Sequence, residues 1–92
     1  MRRRNSGVMV NGAQIRAARA LLDWHQDELA TRAGVARKTL TDFEREIRAP
    51  TRRVAADLVR TLEAAGIRFV SEGGVLGVLL GPTSPGTSGE GV

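Results

Sequence analysis

The segment Gln26–Arg45, QDELATRAGVARKTLTDFER, carries the strongest structural signal in this chain. Leu29 and Ala33 stand four positions apart, which places both on one face of a helix. Gly34 follows directly, and glycine readily adopts the positive φ that commonly ends a helix. Apolar residues at helical spacing resume beyond it and include Leu40. The segment therefore predicts two short helices joined by a tight turn.

Small and apolar side chains would hold these two helices together. Ala30 and Ala33 suit the place where the helices touch at a steep angle, since larger side chains would not fit there. Val35, Leu40 and Phe43 would anchor the second helix to the body of the domain. The opposite face of that helix would then be presented to solvent.

This exposed face, over about residues 36–45, would carry Arg37, Lys38, Thr41 and Asp42. The two cations match guanine O6 and N7 in the major groove, and a carboxylate can accept a hydrogen bond from cytosine N4. We predict that this face reads base edges of double-stranded DNA, with a merely solvated helix face as the alternative. For Asp42 two further alternatives stay open: it orients the neighbouring cations, or it repels incorrect sites.

The composition fits a small single domain with an anionic partner. The chain has 92 residues and a net charge of +4, and Lys38 is the only lysine among its 14 basic residues. A positive balance points to nucleic acid, although codon bias in a GC-rich genome would equally explain the preference for arginine. Cysteine is absent and His25 is the only histidine, so we expect no metal and no cofactor. No acid–base pair or nucleophile is evident either, so we expect no catalytic residues and no enzymatic activity.

Further helices are predicted on both sides of the central segment. Asn11 and Gln14 have the spacing of a capping box, which predicts a first helix from there to about residue 23. Ala49-Pro50-Thr51 interrupts the apolar pattern and begins a fourth helix, which Gly66 ends. Residues 11–66 are therefore expected to form a four-helix domain.

The periodicity changes beyond this domain. Residues 67–70 and 75–80 are short β-prone runs, and Gly73-Gly74 between them suits a tight hairpin turn. An isolated hairpin is marginal in water, and an open strand edge is a template for another chain. We interpret residues 67–80 as a β-hairpin that builds a dimer, with a cap over the helical core as the alternative. The candidate dimer-interface residues are Ile67, Phe69, Val70, Val75, Leu76, Val78, Leu79 and Leu80.

The two ends of the chain are expected to be flexible. Residues 1–10 form a basic arm that would enter a minor groove, contact phosphates without specificity or stay disordered. Residues 81–92 are rich in Gly, Pro, Ser and Thr and predict a disordered tail. No apolar run approaches the roughly 20 residues of a membrane span, and no signal-peptide core follows the basic start. A cytoplasmic location without membrane contact is therefore expected.

Taken together, these residues resemble the Cro/CI-type helix-turn-helix regulators, also called the xenobiotic response element (XRE) family. The resemblance covers roughly residues 13–65 and rests on the pattern Q-x-x-L-A-x-x-A-G-V-x-x-x-x-[IL]-x-x-[FLI]-E. That pattern is matched by Gln26, Leu29, Ala30, Ala33, Gly34, Val35, Leu40, Phe43 and Glu44. The resemblance implies a mainly α fold: a compact four-helix, lambda-repressor-like DNA-binding domain, followed here by a C-terminal β-hairpin.

The resemblance also implies roles for individual positions. The base-reading positions fall on Arg37, Lys38, Thr41 and Asp42. The phosphate-binding positions fall on Gln26, Thr39, Arg45, Arg48, Arg52 and Arg53, with Gln26 acting through its side chain and its backbone N–H. Arg19 and Glu44 match an ion pair that ties the first helix to the third.

The chain departs from the family pattern in places. His25 and Ala36 stand where Ser or Thr usually caps a helix, and at Ala36 the lost cap is worth ~1 kcal/mol. Glu46 stands where the family usually has Gly, so the third helix is expected to be longer or strained at its end. Strands replace the family's usual fifth helix.

Residues just before and within the second predicted helix have structural interpretations. Trp24 is expected to close the core between the first two helices, and His25 to be a surface or capping residue. Asp27 and Glu28 are expected to satisfy the dipole at the start of the second helix. Contact between these two acids and RNA polymerase is the alternative.

The resemblance and the hairpin together lead to a functional expectation. The protein would be a homodimeric repressor, associated with the nucleoid, that binds an inverted-repeat operator and represses its own promoter. Its two half-sites would lie about one helical turn, on the order of 34 Å, apart. The alternative is the antitoxin of a toxin–antitoxin pair, which would bind a partner protein as well as its own promoter.

Overall fold

The structure is a computed structural model that describes residues 10–82 of the chain. Four helices precede one antiparallel pair of strands: α1 (Gly12–Leu22), α2 (Gln26–Ala33), α3 (Arg37–Glu44), α4 (Arg52–Ala64), β1 (Ile67–Glu72) and β2 (Val75–Leu80). The predicted mainly α fold with a C-terminal hairpin is confirmed. Residues 1–9 of the predicted basic arm (1–10) and residues 83–92 of the predicted tail (81–92) lie outside the described residues. Among the described helices, none is both long and apolar enough to cross a membrane.

The first and last helices begin at side-chain caps, whereas the two central helices do not. The Asn11 side chain accepts from the Gln14 backbone N–H at 2.9 Å, and the Gln14 side chain accepts from the Asn11 N–H at 3.0 Å, completing the predicted capping box. Thr51 Oγ1 caps α4 by accepting from a backbone N–H at 3.1 Å. His25 and Ala36 occupy the N-cap positions of α2 and α3 without a side-chain bond. Because these helices have only 8 residues each, they depend on tertiary packing.

The turn between α2 and α3 has the predicted chemistry. Gly34 adopts a left-handed conformation with φ 71°, and the Val35 N–H donates to the Ala30 carbonyl at 2.9 Å. This closure ends α2 and leaves only two residues before α3 begins. The apolar side chains of all four helices then converge on one core, which β1 completes. The buried core residues are Ile15, Ala18, Leu29, Ala30, Leu40, Phe43, Leu58, Leu62 and Ile67, with Trp24 partly buried against them.

The start of α1 lies directly on the backbone at the end of α3. A Cβ atom added at Gly12 would collide with the carbonyl oxygen of Phe43 and would lie 2.8 Å from that of Glu44. Both obstacles are backbone atoms, so neither can move aside as a flexible side chain could. Only glycine permits this approach of α1 to α3.

Substitution of Gly12 by Ala should therefore lower the free energy of unfolding by about 1–3 kcal/mol, the usual cost of overpacking. Gly81→Ala is the matched control because nothing lies within 4 Å of the added Cβ there. Urea denaturation of both variants measures the difference. Equal midpoints for the two variants would contradict the close approach of α1 to α3.

Glu46 affects the backbone conformation just after the end of α3. The helix ends at Glu44 and is not lengthened; Glu46 itself adopts the left-handed conformation, with φ 58°. Its N–H donates to the Phe43 carbonyl at 3.0 Å, and the Ile47 N–H donates to the Asp42 carbonyl at 2.9 Å. This is the helix closure in which glycine is usual. Of the two expected outcomes, strain at this position is the one found.

Replacing Glu46 by Gly should stabilise the fold. Relief of the left-handed conformation is worth about 1–2 kcal/mol, and the greater freedom of glycine in the unfolded chain offsets about 0.5–1 of it. Thermal or urea unfolding should therefore show a net gain of about 0.5–1 kcal/mol. Arg45→Gly is the control: with φ −90° it has no strain to relieve, so it should destabilise. The prediction fails if the two glycine variants shift stability in the same direction.

The hairpin packs on the helices through one of its two faces. Gly73 and Gly74 form the turn, with φ values of 58° and 81°, as the sequence predicts. On the inner face Ile67 is only 3% exposed, and Phe69 and Val78 are packed against the core. Ile67 is therefore committed to the chain's own core, whereas Phe69 and Val78 pack against the core and stay partly exposed.

One polar side chain fastens the hairpin to α1. The Gln14 amide, only 4% exposed, donates to the carbonyl of Gly77 at 3.2 Å and of Val70 at 3.4 Å. These bonds satisfy a buried amide and link α1 to both strands. The hairpin thus does cap the helical core, as the alternative interpretation had it.

Candidate nucleic-acid interface

The first turn of α3 presents two cations to solvent. The side chains of Arg37 and Lys38 are 64% and 84% exposed. Asp42 lies one turn further along the helix and is only 17% exposed, and Thr41 is half-buried. The four predicted base-reading residues thus differ in accessibility, and the two cations are the most exposed of them.

Each of these cations has a carboxylate partner within the chain. Arg37 Nε lies 3.1 Å from Asp27 Oδ1 on α2, and Lys38 Nζ lies 3.2 Å from Asp42 Oδ2 on α3. Exposed pairs of this kind are worth about 0–1 kcal/mol, so DNA phosphates or bases can replace the acids at little cost. In the free protein Asp42 is therefore paired with Lys38, and its role towards DNA stays a prediction.

The acids at the start of α2 are both engaged with arginine. Asp27 pairs with Arg37, and Glu28 pairs with Arg32 at 2.9 Å. Arg32 also stacks over the Trp24 ring, 4.5 Å from its centroid. These acids therefore do more than complement the helix dipole, because they also pair with arginines next to the turn.

Beneath the exposed face lies the buried carboxylate of Glu44, which is 1% exposed. It accepts from Arg19 Nε at 2.7 Å, from Arg19 Nη2 at 2.9 Å and from Gln26 Nε2 at 2.9 Å. The predicted ion pair between α1 and α3 is therefore present as a two-pronged contact. It also includes α2, through Gln26, which the sequence did not indicate.

This network directs the Gln26 side chain inward. Its amide donates to Glu44, and its Oε1 accepts from the Thr41 hydroxyl at 3.1 Å. In the free protein these bonds use the amide oxygen and one of the two N–H donors of the amide that the family resemblance assigns to a DNA phosphate. The backbone N–H of Gln26 stands at the first position of α2, where no intrahelical acceptor exists. The backbone therefore offers a further donor at this position.

Two α1 residues make long-range bonds that the sequence did not predict. Arg16 donates to the Glu44 carbonyl, and the Gln14 amide ties α1 to the hairpin. Both act across more than 25 residues of sequence, since their partners are 28 and 63 positions away. The sequence gives one indication of the Gln14 contact. Gln14 is a polar residue one turn after the capping residue, on the same helix face as Ile15 and Ala18.

Four further arginines are exposed in the segment that follows the cations of α3. Arg45 and Arg48 are exposed after α3, and Arg52 and Arg53 are exposed in the first turn of α4. Among residues 10–82, none of these four side chains forms an ion pair. The remaining predicted phosphate residue, Thr39, is half-buried on α3. These four arginines therefore add positive charge that no acid pairs with among residues 10–82.

Fold and surface together define a helix-turn-helix DNA-binding protein. A family model described as helix-turn-helix matches residues 15–65, just over half of the 92 residues. The chain belongs to this family, the helix-turn-helix regulators of the Cro/CI (XRE) type, and is a DNA-binding transcription regulator. A search of curated proteins found no match. Among residues 10–82 no cluster of three or more His, Cys, Asp or Glu could hold a metal ion.

The buried pair makes a testable prediction. Arg19→Met keeps an unbranched side chain but leaves the Glu44 carboxylate without its main partner, so it should lower the free energy of unfolding by about 3–5 kcal/mol. Arg32→Met is the matched control, because Arg32 and its ion-pair partner Glu28 have side chains that are 53% and 41% exposed. Its loss should stay near 1 kcal/mol, the sum of an exposed pair and a cation–π contact.

Chemical denaturation of both variants measures these losses. If Arg32→Met costs as much stability as Arg19→Met, the buried network does not hold the helices in place.

Proposed function

We propose that the protein is a homodimeric repressor that reads an inverted-repeat operator with α3. The observation that carries this proposal is the pair of exposed cations in the first turn of α3, Arg37 and Lys38. Arginine and lysine at the start of such a helix suit guanine O6 and N7 in the major groove. Thr41 and Asp42 stand one turn further along, where additional base contacts would follow.

The short length of α3 supports a dimer with two-fold symmetry. Its 8 residues span about 12 Å, roughly the width of the major groove. One such helix contacts only a few base pairs, which is too few for selective binding on a genome. A second copy on an adjacent half-site, on the order of 34 Å away, would double the sequence information.

Phosphate contacts would supply most of the affinity. Arg45, Arg48, Arg52 and Arg53 are exposed and have no acid partner among residues 10–82. Thr39 and the backbone N–H of Gln26 would add neutral contacts. Binding should weaken steeply as salt rises, because each neutralised phosphate releases counterion. Such a regulator would act in the cytoplasm, at the nucleoid, and repression of its own promoter is the simplest output.

A second candidate function is an antitoxin that binds both a partner protein and its own promoter. The observation that favours it is the apolar surface of β2, where Val75 and Leu79 are 66% and 54% exposed. A toxin docked there would cover these side chains. Co-expression with the products of adjacent genes, followed by purification, tests this reading against the homodimer.

Alanine variants test the assignment of the base-reading helix. After the preferred DNA sequence is selected in vitro, Arg37→Ala or Lys38→Ala should cost about 1–3 kcal/mol of binding and relax the preference at one position of each half-site. Arg52→Ala or Arg53→Ala should weaken all sequences alike and reduce the salt slope by about 1. Gel-shift titrations at several salt concentrations separate these two patterns.

Arg60→Ala is the control for the loss of one positive charge. Arg60 is exposed on α4 but lies about 12 Å along the helix axis from Arg52 and pairs with Asp57. It should leave both sequence preference and affinity nearly unchanged. An unchanged operator and affinity for Arg37→Ala would show that α3 does not read the bases.

A further inference from the structure

Within residues 10–82, one edge of each hairpin strand has no strand neighbour. The strands pair antiparallel, with Glu72 opposite Val75 across the turn and Ser71 opposite Leu76 next to them. In a hairpin with a two-residue turn, the pair next to the turn exchanges both hydrogen bonds, and bonded pairs then alternate along the ladder. The N–H of Gly81 donates to the carbonyl of Gly66 at 2.9 Å, as that alternation requires. Ser71 and Leu76 therefore direct their N–H and C=O groups outward, one on each edge.

The two edges differ in chemistry. β1, with sequence IRFVSE, carries Arg68 and Glu72, and charged side chains are a common protection of an exposed edge. β2, with sequence VLGVLL, carries no charge at all. Four of its side chains are 42–66% exposed: Val75, Leu76, Leu79 and Leu80. The unprotected edge is thus also the most apolar exposed surface among residues 10–82.

We propose that the free edge of β2 pairs with the β2 edge of a second copy of this chain, so that the two hairpins form one four-stranded antiparallel sheet. The inference rests on the proposed dimeric function and identifies its interface. An open edge of N–H and C=O groups is complemented best by another strand. In any two-fold register each β2 side chain meets an apolar residue or glycine, since VLGVLL contains nothing else.

Two-fold pairing of this kind closes on itself, so it stops at a dimer. The β1 edges remain outermost, where Arg68 and Glu72 protect them. Pairing through β1 would instead place these charges at the interface and leave the leucines of β2 in water. The chemistry of the two edges therefore favours β2.

The geometry of the pairing also suits DNA. The two-fold axis of two adjacent antiparallel strands runs perpendicular to their sheet. The helices of each copy pack on the inner face of its hairpin, with Ile67 and Val78 toward them. Both helical bodies would therefore lie on the same side of the four-stranded sheet, which allows both copies of α3 to face one duplex.

Proline substitution on the two edges tests the proposal in the full chain. Leu76→Pro removes an outward N–H from the β2 edge, and Ser71→Pro removes the outward N–H of its direct cross-strand neighbour on the β1 edge. Neither N–H belongs to the hairpin ladder, so both variants should keep the fold. Analytical ultracentrifugation should find the Ser71→Pro protein dimeric, like the original chain, and the Leu76→Pro protein monomeric.

Lysine substitutions at the same two positions test the proposal even if the proline variants fail to fold. Leu76→Lys and Ser71→Lys add the same charge at exposed positions on the two edges, and only the first should abolish the dimer. Circular dichroism melting confirms that each variant is folded. The proposal is overturned if both Leu76 variants remain dimeric, if the Ser71 variants alone become monomeric, or if the original chain is a monomer that associates only with a different protein.

DNA binding separates this proposal from the proposed function. A folded Leu76→Pro monomer should bind an isolated half-site as the original chain does but should lose at least tenfold in affinity for the complete operator. If neither the original chain nor any variant selects a DNA sequence, the proposed function is wrong. The centrifugation result then still decides whether β2 forms the dimer interface.

Discussion

The carboxylate of Glu44 is the interaction on which the arrangement of the first three helices depends. It is almost fully buried on α3, and it is bonded by Arg19 from α1 and by Gln26 from α2. A buried charge is tolerated only when its partners are held in place, so the carboxylate fixes the positions of three helices at once. The approach of Gly12 to the end of α3 is possible only within that arrangement.

The two central helices depend on contacts with other elements because each has little stability by itself. α2 and α3 are short, and neither begins at a side-chain cap. Their orientation comes from the Gly34 turn, the buried apolar residues and the Gln26–Thr41 bond. Packing and recognition are thus joined in α3: one face is anchored by Leu40 and Phe43, and the other presents cations.

The sequence predicted those features that are set by neighbouring residues. The Asn11 capping box, the Gly34 turn and the Gly73-Gly74 hairpin follow from local backbone chemistry, and each was found as expected. The Arg19–Glu44 contact followed from a family resemblance. The inward direction of Gln26 and the bonds from Gln14 to the hairpin could not be predicted, because they join residues that are brought together only by folding. For Glu46 the pattern left two outcomes open, and packing of the loop selected one.

The bond between Gln14 and the hairpin has a consequence for the spacing of DNA sites. It ties the strands to α1, which in turn contacts α3 through Arg19, so side-chain bonds connect the hairpin to α3. In the proposed dimer these bonds would restrict any change in the separation of the two copies of α3. One inserted base pair between half-sites shifts them by about 3.4 Å and rotates them by about 34°. The protein should therefore discriminate the distance between half-sites as strictly as the bases within them.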